Sequence, residues 1–245
     1  MVQRIRFSYI RGEDLKFISH LDILRFLHRA FRRAGFPLAY RGKFNPQPRL
    51  DPGIPLPLGI TSEGEYGEVH LHRGKPGITG EDFITQINSQ LPAALKVTNA
   101  ALISLEEDSL MEQINCSRYR VEWDESRTGQ ELWEVLEEGK NKILESEELV
   151  VERRGKKKKG KRQMRQVDVR PFVYTLEVSK VRPELFMLLQ TGNRGGVSPV
   201  EVLQLMKDLT GRNDFLDHDG IHRMGLFRRE GNLLETPYPF NQSFS

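Results

Sequence analysis

The chain has 245 residues and a formal net charge of +3, and 38% of its residues are hydrophobic. This length and composition favour one large or two small globular domains, and no apolar run reaches the roughly 20 residues of a membrane span. The single cysteine, Cys116, excludes an internal disulfide and a zinc or iron–sulfur site held only by cysteines of this chain. We therefore expect a protein of the reducing cytoplasm, since the N-terminal residues also lack the apolar core of a signal peptide.

Charge is distributed unevenly along the chain. Residues 1–50 contain eleven Arg or Lys against three Asp or Glu, and residues 151–170 contain ten against two. Residues 101–150 have the opposite balance, with five basic against fourteen acidic side chains. Such segregation favours a polyanion as partner, and the alternative is a set of ordinary solvated faces.

The first hundred residues predict the order strand, helix, strand, strand, helix, strand. In the first helix, SHLDILRFLHRAFRRAG, Ser19 is the expected N-cap, Asp22 completes the capping pattern and Gly35 ends the helix. This order is that of the split βαβ, or ferredoxin-like, fold, in which two helices cover one face of the sheet. The other face is expected to be free, and in RNA-recognition modules of this order single-stranded bases stack there.

The second half repeats this order more loosely, with Ser198 as N-cap of its last helix. We therefore predict an α+β protein with two tandem ferredoxin-like domains, antiparallel sheets and helices on one face of each sheet. The first domain spans residues 1–107, with a proline-rich connection at 44–60. The second spans residues 115–230 and has a basic hairpin tip at 153–165, and a loose tail follows at 231–245.

The first helix is amphipathic. Its apolar stripe includes Ile23, Leu27 and Phe31, and four arginines lie on the opposite side: Arg25, Arg29, Arg32 and Arg33. Guanidinium groups suit bidentate contacts to phosphate, so we predict that these four bind nucleic acid. The alternative is a plain solvated helix face.

The proline-rich connection is too apolar for an ordinary loop and cannot be a helix. Its prolines keep the backbone extended and withhold N–H donors, which favours a stiff connection laid across the domain. Such a connection holds Lys43, Asn45 and Arg49 in place before any ligand arrives, so we predict that they contact nucleic acid.

A second basic element is the predicted hairpin tip, which contains no apolar residue. We predict that its side chains contact a polyanion, with simple solubility as the alternative. These side chains are Lys156, Lys157, Lys158, Lys159, Lys161 and Arg162.

His20 is the one residue with a catalytic interpretation. It lies on the apolar side of the first helical turn, where it could bind phosphate, act as a base with Tyr40 or Tyr66 nearby, or be buried and hydrogen-bonded to backbone. The stretch that contains Asp217, His218 and Asp219 has metal-ligand residue types without a metal-binding spacing. We therefore expect no metal and no cofactor.

The residues FISHLDILRFLHRAFRRAGFPLAYRGKFNPQPRL, followed by PLPLGITSEGEYGEVHL, resemble the radical SAM-linked domain family of bacteria. The resemblance is strong over residues 4–72 and looser to about residue 210. Its motif positions are Ser19, His20, Asp22, Phe44, Asn45, Pro46, Pro48, Gly59, Ser62, Glu63 and Tyr66. Members of that family stand alone or are fused to cobalamin-binding radical SAM enzymes. The resemblance therefore implies work beside such an enzyme, since this chain lacks the three-cysteine cluster motif.

Three functions remain open at this point. The first is a non-catalytic RNA-binding accessory protein that acts with a radical SAM enzyme in RNA modification or processing. The second is an adaptor that docks on a radical SAM partner without binding RNA. The third is a metal-independent RNA endonuclease with His20 as its base.

Overall fold

The computed structural model describes residues 2–72, 78–123, 130–158, 161–212 and 220–237, with backbone only for 130, 156–158 and 161–162. The chain divides into two compact units. Unit 1 contains the described residues of Met1–Asn115 and His222–Ser245, and unit 2 contains those of Cys116–Ile221. Both units combine helices with mostly antiparallel strands, so the predicted α+β class is confirmed. None of the helices in these ranges is both long and apolar enough to span a membrane.

Unit 1 follows the predicted order, with short extra strands in the proline-rich connection. Its long strands are β1 (Val2–Arg11), β5 (Thr61–His72), β6 (Leu95–Ile103) and β12 (Ile221–Glu230), the last of which belongs to unit 1 from His222 onward. Its short strands are β2 (Tyr40–Arg41), β3 (Gln47–Pro48), β4 (Leu50–Pro52) and β13 (Leu233–Glu235). Its helices are α1 (His20–Arg33), α2 (Gly80–Asn88) and the single turn α3 (Leu110–Gln113).

The sheet of unit 1 has the order β6–β1–β5 with antiparallel pairing, and β4 pairs antiparallel with the other side of β5. Strand β12 lies on that same side of β5 but runs parallel to it, pairing His222 with Thr61. The sequence placed residues 222–230 in the second domain. In the structure, this ladder and an ion pair between Arg223 and Glu65 connect them to unit 1.

Helix α1 begins and ends where the sequence predicts. Ser19 Oγ accepts a hydrogen bond from the backbone N–H of Asp22, and Gly35 follows the helix with a φ of 76°. The buried side of α1 packs with α2 on one face of the sheet, around four aromatic rings: Phe7, Phe31, Phe36 and Phe83. Burying large aromatic side chains is a main source of stability, so this cluster fixes α1 against the sheet.

The second face of the sheet is covered rather than free. Arg4 and Arg6 on β1 and Glu68 on β5 lie there, and their exposed fractions are 5%, 1% and 1%. Glu68 accepts hydrogen bonds from Arg4 Nη2 at 2.6 Å and from Arg6 Nε at 2.8 Å. The backbone carbonyl of Asp108 accepts a further bond from each guanidinium. The expectation of a free second face is therefore wrong here, because the chain that follows β6 folds back over it.

Unit 2 contains an antiparallel sheet of order β10–β11–β7 and a separate hairpin, β8–β9. Its strands are β7 (Cys116–Glu122), β8 (Val150–Lys158), β9 (Lys161–Asp168), β10 (Val173–Val178) and β11 (Glu184–Gln190). Its helices are α4 (Gln130–Glu145) and α5 (Pro199–Thr210). Ser198 caps α5 as predicted, with Glu201 completing a capping box. Glu201 also binds Arg153 of β8 at 2.7 Å, which connects the hairpin to α5.

Candidate nucleic-acid interface

All four arginines of α1 that the sequence assigned to phosphate are exposed: Arg25, Arg29, Arg32 and Arg33. Two of them contact an aromatic ring of the same helix. The guanidiniums of Arg29 and Arg33 lie 5.9 and 5.8 Å from the ring centroid of Phe26. Arg33 also donates to the backbone oxygen of Gln90 at 3.0 Å. This side of the helix is therefore held partly by intramolecular contacts.

Arg25 and Arg32 lie on a different side of α1, in line with His28 at helical spacing. Arg25 forms an ion pair with Asp22 at 3.0 Å, and exposed pairs of this kind are weak enough to exchange with a ligand. The guanidinium of Arg32 has no hydrogen bond or ion pair to another described residue. Burial, and then the positive charge of Arg41, lower the pKa of His28, which indicates that Arg41 lies near this side of the helix.

The residues after α1 form a small hairpin, which we call the motif hairpin (residues 40–48). Its two short strands pair Tyr40 with Pro48 and Arg41 with Gln47. Gly42 turns the chain with a φ of 97°, a left-handed conformation that glycine adopts without strain. The predicted second strand is thus much shorter than the sequence suggested, and the proline-rich connection contributes β3 and β4 instead.

An aromatic ring stands at the tip of the motif hairpin. The exposed fraction of Phe44 is 102%, and that of Tyr40 at the base is 49%. Arg41, Lys43 and Asn45 are also exposed between and beside these rings. The tip therefore presents cations and an aromatic surface together, the combination on which single-stranded nucleic acids stack.

The base of the motif hairpin is fixed by the carboxylate of Asp51. Asp51 Oδ1 accepts a hydrogen bond from Arg41 at 2.8 Å, and Oδ2 lies 3.6 Å from Nε2 of the buried His70. The neighbouring His70, and then Arg41, lower the pKa of Asp51 against the opposing effect of burial. Arg49, predicted to contact nucleic acid, is half-buried with Nη2 3.5 Å from His70 Nε2, so it lies against the protein rather than at the tip.

His20 is the first residue of α1 and is half-buried. Burial lowers the pKa of His20; nearby Glu65 opposes this shift, while the guanidiniums of Arg11 and Arg223 add to it. A neutral imidazole at pH 7 is the consequence. This state is compatible with a base and equally with a structural side chain.

The structure does not assemble an acid–base pair around His20. In the described ranges, no hydrogen bond joins it to Tyr40 or Tyr66. Tyr66 is buried with Ile54 and Leu226, and burial raises the pKa of Tyr66 to about 12. Tyr40 belongs to the motif hairpin. His20 therefore has no catalytic partner among the residues that the sequence suggested.

A buried network lies behind His20. Arg223 donates to both carboxylate oxygens of Glu65, at 3.0 and 3.2 Å, and to the backbone carbonyls of Ile54 and Pro55 at 3.1 and 3.0 Å. Ser62 Oγ donates to Glu65 Oε1 at 2.7 Å. The network fixes the proline-rich connection to β12, so the motif residue Ser62 acts here as a structural side chain.

The residues that position this interface were not among those predicted from the sequence. Glu65 and Arg223 lie in strands in which polar and apolar residues alternate, so neither residue stood out. Asp51 was treated as part of an extended connection. The available signal was the number of charged side chains on predicted central strands, Glu65 and Glu68 on β5 above all. A charge on a strand with both faces buried must be paired, and that requirement points to an internal network.

Exposed apolar side chains form a second feature of unit 1, at the start of α1 and in the proline-rich connection. The N–H of Gly59 donates to the carbonyl of Lys16 at 2.8 Å and brings the two segments together. We call this set the apolar cluster: Phe17, Ile18, Leu21 and Leu58.

The lysine-rich tip belongs to unit 2. Its backbone pairs Lys157 with Arg162 and Lys158 with Lys161 in the β8–β9 hairpin. The side chains of 156–162, predicted to contact a polyanion, lie outside the described residues, as do residues 217–219.

Comparison with known proteins places the chain among bacterial sequences. A family model described as "Uncharacterized protein conserved in bacteria (DUF2344)" matches residues 4–199. The matched range includes α1, the motif hairpin and most of unit 2. Among curated proteins, none matches the chain.

Proposed function

The chain belongs to this family of proteins conserved in bacteria, and from that premise we propose that it is a cytoplasmic RNA-binding accessory protein. It holds RNA and performs no chemistry of its own. The observation that carries the proposal is the fully exposed ring of Phe44 beside the cations Arg41 and Lys43.

The chemistry of this surface suits single-stranded RNA. Lys and Arg side chains neutralise phosphates, and an aromatic ring stacks on bases that are not buried in a duplex. Arg25 and Arg32 supply further positive charge on the side of α1 that lies near Arg41. The ring of Phe44 is fully exposed, so a base can stack on it without breaking a contact inside the protein. The whole stacking energy therefore contributes to binding.

The motif hairpin is ordered before RNA arrives. The contacts of Asp51 with Arg41 and His70 hold its base, and backbone hydrogen bonds join Ala39 to His70 and Arg49 to Ala39. Proline at positions 46 and 48 restricts the returning strand further. Less conformational entropy is therefore lost on binding than in a free loop.

We further propose that both units are ferredoxin-like and that the protein acts beside a radical SAM enzyme in RNA modification or processing. The antiparallel order β6–β1–β5–β4 with helices α1 and α2 on one face supports the first point for unit 1. The resemblance over residues 4–72 supports the second. The iron–sulfur cluster would belong to the partner, since this chain has one cysteine.

A second candidate function is an adaptor that docks on the radical SAM enzyme without contacting RNA. The apolar cluster favours it, because contiguous exposed apolar side chains are typical of protein interfaces. Phe17 is the exposed aromatic residue of that cluster, and it provides a matched comparison with Phe44.

Replacing Phe44 with Ala should weaken the binding of a labelled single-stranded RNA of mixed sequence. Loss of one stacking contact of about 1–3 kcal/mol raises Kd by about fivefold or more. Fluorescence anisotropy with the full chain measures this change. Phe17→Ala removes another exposed ring, 69% accessible and outside the motif hairpin, and should leave Kd within about twofold. Equal affinities of wild type and Phe44→Ala would exclude the motif hairpin as the RNA site.

A further inference from the structure

A cavity of about 270 Å³ opens in unit 2 at the end of the β7–β11 ladder. It is lined by Glu122, Trp123, Arg182, Pro183 and Glu184. The ladder pairs Glu122 with Glu184, and the backbone N–H of Trp123 donates to the carbonyl of Pro183 at 3.0 Å. The lining residues are therefore held by backbone hydrogen bonds, and the size suits a ligand no larger than a single ring system.

Three hydrogen-bonding groups in this lining have no partner among the described residues. Nε1 of Trp123 is buried and unpaired, and a buried unpaired donor costs about 1–3 kcal/mol. The carboxylate of the half-buried Glu184 and the guanidinium of Arg182 also have no partner there, and they do not pair with each other. Because Nε1 of Trp123 has almost no accessible surface, the groups that the lining offers to a ligand are the carboxylate of Glu184 and the guanidinium of Arg182.

The two carboxylates of the lining face each other. Glu122 and Glu184 are directly opposite in the ladder, an arrangement of like charges that destabilises a sheet. Glu122 is compensated by Arg120, whose Nε lies 2.9 Å from its Oε1. The carboxylate of Glu184 has no cationic partner among the described residues. A ligand that donates hydrogen bonds to it would therefore reduce the repulsion between Glu184 and Glu122.

We propose that this cavity binds a guanine base. Guanine presents two adjacent N–H donors, N1 and N2, which match the two oxygens of a carboxylate such as Glu184. Its O6 and N7 are adjacent acceptors that match a guanidinium such as that of Arg182. The indole ring of Trp123 adds an aromatic surface beside the base. Adenine, cytosine and uracil each lack this combination of two neighbouring ring-edge donors and two neighbouring acceptors.

This site is independent of the motif hairpin, because every lining residue belongs to unit 2. The base could come from a free nucleotide or from an RNA strand, and both present the same edges to Glu184 and Arg182. A failure of RNA binding at Phe44 would leave the guanine site unaffected.

Tryptophan fluorescence tests the proposal in the full chain. The protein has two tryptophans, and Trp133→Phe leaves Trp123 as the only one. Titration of this variant with GMP, AMP, CMP and UMP compares four ligands that share the ribose and the phosphate. We expect GMP to change the emission with a Kd at least about tenfold below those of the other three, since hydrogen bonds to charged groups contribute about 1.5–3 kcal/mol. Equal responses to all four, or no saturable response to GMP, would overturn the proposal.

Two matched substitutions sharpen this test. Glu184→Ala should weaken GMP binding at least about tenfold, whereas Glu177→Ala, at an exposed glutamate on β10, should leave it unchanged. Equal effects of these two substitutions would also overturn the proposal. A comparison of GMP with the trinucleotide ApGpA shows where the bound base comes from. Tighter binding of ApGpA would indicate that the cavity binds a guanine within an RNA strand. Tighter binding of GMP would indicate that it binds a free nucleotide. Phe44→Ala should not alter the affinity for GMP.

Discussion

Replacing Glu68 with Gln should lower the free energy of unfolding of unit 1 by about 3–5 kcal/mol, as expected when one partner of a buried ion pair loses its charge. Glu68 is the common acceptor for Arg4 and Arg6, and all three side chains are almost completely buried. The substitution keeps the shape of the side chain but leaves two guanidiniums without their counter-charge. Denaturation in urea, followed by circular dichroism, measures the loss, which is a large part of the 5–15 kcal/mol typical of a domain.

Glu63→Gln is the matched control for this prediction. Glu63 lies on the same strand, β5, but its side chain is 59% exposed and its nearest basic partner is His222 at 3.6 Å. Neutralising an exposed carboxylate of this kind should change stability by less than about 1 kcal/mol. Similar urea midpoints for the two variants would mean that the Arg4–Glu68–Arg6 network contributes little.

Replacing Arg223 with Met should cost about as much, again about 3–5 kcal/mol. The carboxylate of Glu65 would stay buried with the Ser62 hydroxyl as its one remaining side-chain donor among the described residues, and the carbonyls of Ile54 and Pro55 would lose theirs. Methionine keeps most of the volume, so the expected loss comes from unpaired polar groups rather than from a cavity. The same urea titration measures it.

Two further variants test whether the loss of stability comes from the Arg223–Glu65 ion pair or from any substitution on β12. Arg228→Met removes an exposed arginine of the same strand, paired with Glu230, and should change stability by less than about 1 kcal/mol. The double variant Arg223→Met with Glu65→Gln removes both charges and should recover part of the loss. A double variant as unstable as the sum of its two single variants would show that the groups do not interact.

Local signals in the sequence were sufficient to locate the starts of α1 and α5, whereas the single turn α3 was not predicted. Ser19 and Ser198 were identified as N-caps from the residues that follow them, and both act as such. Helix capping depends on groups within three or four residues, so a single sequence contains the necessary information. The order of strands and helices in unit 1 followed from periodicity in the same way.

The charge balance of the sequence was a poorer guide to the surface. The excess of positive charge in residues 1–50 includes Arg4, Arg6 and Arg11, which are buried and bound to carbonyls or to Glu68. The alternation of β1 places Arg4 and Arg6 on one side of the strand but does not show what lies on that side. That side is covered by a segment about 100 residues away in the chain, and no local pattern reveals such a contact.

The candidate site was predicted in part. Exposure of Arg25, Arg32, Lys43 and Asn45 agrees with the sequence interpretation, whereas Arg49 lies against His70. Phe44 was identified only as a motif residue. A phenylalanine in a short polar stretch is equally compatible with a buried anchor, and only the geometry of the hairpin shows its ring in solvent.

The affinity of the full chain for single-stranded RNA, measured over a series of KCl concentrations, tests the proposed function most directly. If the cations of the motif hairpin and α1 contact about 3–6 phosphates, a plot of log Kobs against log[KCl] should be linear with a slope of about −2 to −4. A slope near zero, or no binding at the lowest salt concentration, would contradict RNA binding by this protein.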